Sequence, residues 1–298
     1  MLNLILTVAL FTVATARAEF IIRVDGSSTV FPITEAVAEE FGLKNPSIKI
    51  TVGVSGTGGG FKKFCNGEID INDASRTIKS EEATACKKNK VDYVELPVAY
   101  DGLSVVVHPQ NTWVDFLTVA ELKKIWGTAS QVKTWRDIRP SWPDRKIILY
   151  GPGTDSGTFD YFTEAINGKA QVSRSDFTKS EDDNVLVQGI VGDKDAMGYF
   201  GHAYYEANKT KLKVVPVQAD GAKPVIPTEK TIADGTYKPL SRMIYIYVSS
   251  TASKKNEIKS FIEFYLKNAG NLVKDVGYIA LGPEKYDNAL REFNKKTK

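Results

Sequence analysis

The sequence predicts an α/β protein with mixed or parallel sheets, and three observations lead there. A unit recurs along the 298 residues: a β-rich run, a loop of Gly, Ser and Thr, then an amphipathic helix. Apolar residues alternate within the runs and return every three to four positions in the stretches that follow, the periods of strand and helix. The composition, 42% hydrophobic and 25% charged, is ordinary for a globular chain, and the length admits one large domain or two medium ones.

The first unit starts with the strand Ile21-Ile22-Arg23-Val24, followed by the loop Asp25-Gly26-Ser27-Ser28-Thr29-Val30. Pro32 sits near a first helical position, where its missing N–H costs nothing. Ile33, Val37 and Phe41 mark one helical face, and Gly42 with Asn45-Pro46 ends the helix. The second unit begins with the alternating strand Ile48 to Val52. Its loop is Ser55 to Gly60, and its helix is expected to open at Phe61, with Phe64 inward. A short strand around Ile69 to Ile71 leads into Asp73-Ala74-Ser75-Arg76. The third unit is Lys146 to Tyr150 as strand, Gly151 to Thr158 as loop, and a helix with Phe159, Phe162 and Ile166 on one side. Further helices are expected over Val119 to Trp126, Asp182 to Val191 and Asn256 to Leu266, and a further strand over Met243 to Val248.

Residues 1–18 differ from the rest. An apolar run from Leu2 to Val13 precedes Ala16-Arg17-Ala18, which fits the small-x-small pattern of a signal-peptidase site, although Met1-Leu2-Asn3 carries no cation. Cleavage there leaves Glu19 at the mature N-terminus. The run falls short of the ~18 apolar residues that a membrane-spanning helix needs, and no other stretch approaches that. These features imply a soluble exported protein, free in a periplasm. Cys65 and Cys86 then read as a disulfide rather than a metal site, with two unrelated thiols as the alternative. The two histidines, His108 and His202, sit in no ligand-spaced cluster, so no metal or cofactor is expected. A net charge of +3 supplies no basic footprint for nucleic acid; the one basic run, Lys295 to Lys298, reads as a solvated tail.

Function is carried by the three loops that each precede a helix. The first turn of a helix presents unsatisfied N–H groups and a partial positive charge, and binds an anion without needing a cation. Hydroxyls add donors, and glycine lets backbone approach the ligand. One such loop is an ordinary N-cap; three in one chain point to a shared oxyanion site. Other readings fail on spacing. Gly53 to Gly60 lacks the lysine of a P-loop, and the dinucleotide fingerprint would put its last glycine on Phe61. Ser156 stands one place late for the Gly-x-Ser-x-Gly nucleophile elbow.

Taken together, these loops resemble the PstS family, the phosphate-binding proteins of ABC importers. The likeness lies in Asp25 to Pro32, Ser55 to Lys63, Ala74-Ser75-Arg76 and Thr154 to Phe159. Leu117-Thr118 with Leu122 to Trp126 and Trp135, Met197-Gly198-Tyr199 and Val276-Gly277-Tyr278 are also similar to family signatures, and the order holds over the whole mature chain. The resemblance implies a type II periplasmic-binding-protein fold, two α/β lobes joined by two crossover strands, with the anion in the cleft. Lobe one is expected at residues 19–98 plus 245–298 and lobe two at 99–244. It also implies inorganic phosphate as ligand, an inner-membrane ABC permease as partner and no catalysis.

Residue by residue, the match points to Ser28, Thr29 and Val30, to Thr57 with Ser55 and Gly58, to Ser75 and Arg76, and to Ser156, Gly157 and Thr158 from the other lobe. Many family members have an arginine before the Asp-Ser-Gly-Thr run and an aspartate after the Ala-Ser pair. Here the first place holds Gly151-Pro152-Gly153 and the second holds Arg76, so Arg76 is expected to supply the guanidinium, a planar fork that grips two oxygens. The carboxylate must then move as well, and Asp101 is the candidate, with Asp73 and Asp155 as substitutes. Phosphate at neutral pH keeps a proton that a buried carboxylate accepts; sulfate has none and meets the carboxylate as like charge. The rivals are another oxyanion (sulfate, molybdate or a phosphonate), a phosphatase or serine hydrolase using Ser156, and a phosphate-responsive sensor or adhesin.

Overall fold

A computed structural model describes residues 20–154, 156–180 and 182–297. The expected signal segment 1–18, the new N-terminus at Glu19, Asp155 and Lys298 lie outside the described residues.

The chain opens with β1 (Phe20–Gly26), α1 (Phe31–Lys44), β2 (Ile48–Val52), α2 (Gly56–Cys65), β3 (Ile71–Ala74) and α3 (Ser80–Lys88). The long strand β4 (Tyr93–Val107) leads into β5 (Leu117–Thr118), α4 (Val119–Trp126), β6 (Ile148–Pro152), α5 (Gly157–Asn167), β7 (Thr178–Ser180) and α6 (Asp183–Gly192). Then come β8 (Ala196–Gly201), α7 (His202–Asn208), β9 (Lys213–Val214), β10 (Val217–Gln218) and α8 (Glu229–Ala233). The strand β11 (Ser241–Ser249) returns to α9 (Asn256–Asp275), β12 (Ile279–Ala280) and α10 (Pro283–Lys296).

The strands run in the order β2-β1-β3-β11-β4-β8-β6-β7, with β9 and β12 also paired to β4. β1 is parallel to β2 and β3, and β6 is parallel to β7 and β8, as strand–loop–helix units require. β4 ties the halves together. Its residues Tyr93 to Gly102 pair antiparallel with β11, and Leu103 to Val107 pair with β8. β11 carries the chain back, so β4 and β11 are the two crossovers between two α/β halves. The fold is the expected two-lobed one.

The helix faces read from the sequence are the buried ones. Ile33, Val37 and Phe41 are buried on α1, and Phe41 meets Phe261 of α9 edge-on at 5.3 Å between ring centres. In the second half, Trp126 packs edge-on against Tyr199 at 4.9 Å, and Phe162 stacks on Tyr199. Each such buried side chain stabilises the fold by about 1.5–3 kcal/mol. Thr118 and Glu121 cap α4 reciprocally, and Ser156 caps α5 by accepting from the Thr158 amide. Cys65 and Cys86 form a disulfide that staples α2 to α3, worth about 3 kcal/mol on the chain-entropy estimate for such a loop.

Some boundaries differ. α2 begins at Gly56, five residues before the expected Phe61, and glycine content explains the miss. A Cβ at Gly60 would lie 1.9 Å from the Asn72 amide oxygen and 2.7 Å from Gly26 Cα. Glycine is poor for helix propensity, yet here it alone lets the first turn lie against β1 and β3; packing overrides propensity. α9 runs on to Asp275 rather than stopping at Leu266, and β6 lies two residues later than expected.

Asp73, at the end of β3, is wholly buried. Thr34 Oγ1 donates to its Oδ1 at 3.0 Å, and Oδ2 has no partner. Burial, opposed by that one hydrogen bond and helped by the nearby Asp25 charge, pushes its carboxyl up from 3.8 to about 8. A folded-state value above the unfolded one means that the native protein holds the proton longer. Its contribution is therefore full below pH ~4 and is lost as pH rises towards ~8, by up to about 1.4 kcal/mol per pH unit. Asp73→Asn should flatten this part of the stability–pH profile, read by urea unfolding at pH 5 and 8. A profile with the wild-type slope would contradict it.

Candidate functional site

The site forms where β1 and β3 end and α2 begins. After β1 the chain turns through Ser27 to Val30. The Thr29 amide donates to Ser27 Oγ at 3.2 Å and the Val30 amide to the Ser27 carbonyl at 3.1 Å, which leaves the Ser28 and Thr29 hydroxyls projecting. The first turn of α2 brings Thr57 and Gly58 alongside. Thr57 and Ser75 hydroxyls lie 2.9 Å apart, and the Ser75 amide donates to Thr57 Oγ1. Arg76 follows. Its guanidinium makes a two-pronged pair with Glu82 of α3, at 2.9 and 2.8 Å, and lies over the Phe61 ring. Glu82 also accepts from the Lys79 amide, so α3, anchored by the disulfide, holds the arginine's fork.

The opposite wall comes from α5 and β11. Arg242 stands opposite Asp101 in the β11–β4 register. Its Nε donates to Asp101 Oδ2 at 3.1 Å and its Nη2 to Thr29 Oγ1 at 2.9 Å, and its guanidinium carbon lies 3.6 Å from the centre of the Tyr161 ring. Asp101 is 4% exposed. Burial pushes its carboxyl up, while the Arg242 charge and hydrogen bond oppose that. On α5, Asp160 receives the Ser28 hydroxyl at 3.5 Å through Oδ2, and its buried Oδ1 has no partner. Burial raises the Asp160 carboxyl, with Gln171, Ser28 and Arg242 opposing and Glu164 adding to it.

These walls enclose a cavity of about 200 Å³, below the ~300–1,000 Å³ of pockets for drug-sized ligands and suited to a small ion. Of the residues expected from sequence, the structure brings Ser28, Thr29, Thr57, Gly58, Ser75 and Arg76 to this cavity. The others stand around it. The Val30 amide is used in its own turn, and Ser55 donates to Asp25 at 2.6 Å. Asp101 lies behind Arg242, and Asp73 is buried beneath β3's end. Ser156 and Thr158 bond to each other at the head of α5, and Gly157 rests on Thr29, whose hydroxyl donates to the Gly157 carbonyl at 3.3 Å.

Sequence reasoning missed Arg242, Asp160, Tyr161 and Glu164, which line the cavity together with Ser27, Gly56, Lys79 and Ala170. The signal was slight: a lone arginine heading an apolar strand, and polar residues one turn into a helix whose apolar face had been noted. The histidines are placed elsewhere. His202 Nδ1 and the Ser104 hydroxyl lie 2.9 Å apart, and His108 Nδ1 accepts from the Gln110 amide. Chemically, the arrangement offers hydroxyls, a helix start and two guanidiniums to a small anion, with carboxylates at its edge.

A PBP superfamily domain model matches residues 12–269. The chain is 52% identical to the protein SphX of Synechococcus elongatus over 288 residues, 96% of this chain and 85% of that one. It is 40% identical to the phosphate-binding protein PstS of Staphylococcus saprophyticus over 271 residues, 91% of this chain and 83% of that one. A solved structure described as a possible phosphate binding protein from Planctomyces limnophilus superposes with a TM-score of 0.90 at 50% identity, covering 93% of this chain and 99% of that chain.

The contact of Gly157 with Thr29 across the two halves supplies a test. A Cβ at Gly157 would lie 2.6 Å from the Thr29 amide nitrogen and 2.8 Å from its Cα, backbone atoms that cannot swing aside. Gly157→Ala should hold α5 off the β1–α1 loop. Small-angle scattering should give a larger radius of gyration at an unchanged melting temperature; wild-type scattering would contradict the contact.

Proposed function

The chain belongs to the PstS family of phosphate-binding proteins within the PBP superfamily, and on that premise we propose that it captures inorganic phosphate in the periplasm and hands it to an ABC permease. It performs no chemistry on the ion. Cleavage after Ala18 would release the mature protein, and no helix among the described residues is long and apolar enough to cross a membrane.

One observation carries this reading: two guanidiniums and four hydroxyls, from both halves of the fold, line a cavity of about 200 Å³ that is large enough for a tetrahedral ion. Ser28 and the linked Thr57–Ser75 pair offer hydroxyls, the α2 start near Gly58 donates amides, and Arg76 and Arg242 neutralise the charge, while Thr29 holds Arg242 and Gly157. Ser156, Gly157 and Thr158 set α5 against the first lobe. The lobes are residues 19–98 plus 245–298 and residues 99–244, with β4 and β11 as hinge. Bending there lets the ion in and closure buries it; the closed pair of lobe tips is what the permease recognises.

The proton on phosphate is checked by a carboxylate. Asp101 already accepts from Arg242, so it serves by holding that cation. Asp160, which lines the cavity and accepts from Ser28, takes the acceptor's part. An analogue that lacks the proton would leave this acceptor facing like charge, a kind of mismatch that rejects analogues by about 10⁴-fold in comparable sites.

Calorimetric titration with phosphate and sulfate tests both steps. Wild type should prefer phosphate, Arg76→Ala and Asp101→Asn should weaken phosphate binding by roughly 10-fold or more, and Asp160→Asn should narrow the phosphate–sulfate ratio. Tighter binding of sulfate by wild type would end the phosphate reading. An unchanged ratio in Asp160→Asn would end the acceptor's role.

A further inference from the structure

Arg242 is the one cation of the cavity that belongs to a crossover strand, and its guanidinium is held on three sides. Asp101 takes one edge, Thr29 of the first lobe takes another, and the Tyr161 ring covers a face at 3.6 Å. Tyr161 is itself fixed at both ends. Its backbone is part of α5 in the second lobe, and its hydroxyl donates at 2.8 Å to the carbonyl of Pro239, three residues before Arg242. Ring and guanidinium line the same cavity, and the ring is almost wholly buried.

We propose that Tyr161 is a positioning residue that sets the plane of Arg242 for the anion, so the site's crossover cation is in place only when α5 is docked. This rests on the reading of the cavity as a phosphate site. A free arginine side chain samples many rotamers, and an electron-rich ring face restricts it while leaving the guanidinium edges for hydrogen bonds. Docking of the second lobe and preparation of the cation are thereby one event. An anion that engages Arg242 favours the docked state, since a ligand shifts a conformational equilibrium by its differential affinity. A merely structural role for Tyr161, as one more buried ring under α5, makes different predictions.

The test is a double-mutant cycle on phosphate affinity by calorimetry, using the full chain with Tyr161→Leu, Arg242→Lys and both together. Each single change should weaken binding about 10-fold, and the pair only about 10- to 20-fold, because the second change removes a contact already lost. Tyr161→Phe keeps the ring face and should bind within about 3-fold of wild type. A double variant weakened about 100-fold, the product of independent effects, would overturn the proposal. So would Tyr161→Phe binding as poorly as Tyr161→Leu. If Tyr161→Leu does not fold, Tyr161→Met replaces it in the cycle. If wild type itself fails to bind phosphate, the ligand reading falls, and scattering still judges the contact. The ligand-free Leu or Met variant should have a larger radius of gyration than wild type, and an equal one would overturn the proposal.

Discussion

The structure turns on one buried ion pair, Arg242 with Asp101, formed where β11 and β4 run side by side between the lobes. A carboxylate at 4% exposure tolerates charge only beside a partner, and removing either member of such a pair costs about 3–5 kcal/mol. Asp101 thereby fixes where Arg242 lies. The edge of the guanidinium that Asp101 does not use reaches Thr29, in the loop after β1. A requirement of burial thus places a cation at the junction of the two halves, beside the cavity proposed for the anion.

The first lobe arrives at the same place by other means. Parallel strands end together, so the loops after β1 and β3 and the start of α2 converge at one edge of the sheet, where open α/β sheets bind ligands. Gly60 allows that convergence by letting α2 lie against Asn72 and Gly26. The disulfide then secures α3 against α2, and Glu82 of α3 pairs with Arg76 in the segment after β3, so the second guanidinium is held by elements outside the cavity. Each guanidinium has a carboxylate of its own, one on each side, that anchors one of its edges.

The parts legible in sequence were those whose signal is local. Strand and helix periods marked β1, β2, α1 and α4 within a residue or two, and the Gly/Ser/Thr loops named the first-lobe wall, because helix-start amides and hydroxyls lie within a few positions of one another. The Cys65–Cys86 disulfide was legible from two cysteines in a chain expected from its first 18 residues to be exported. What stayed hidden depends on distant pairing. Arg242 and Asp101 are 141 residues apart and meet through antiparallel register alone. Tyr161 falls within an apolar helical pattern and looks like core until Arg242 is laid against it. Arg76 was expected as a free fork for the anion, and only the fold shows Glu82 occupying two of its prongs.

The most direct test is where a tetrahedral oxyanion comes to rest. Arsenate carries a proton at neutral pH as phosphate does, and its arsenic scatters anomalously, so diffraction from arsenate-soaked crystals locates it without assumptions. This account predicts a single strong peak inside the cavity, between Arg242 and the hydroxyls of Ser28, Thr57 and Ser75. A peak outside that cleft, or none at all at saturating arsenate, would contradict it.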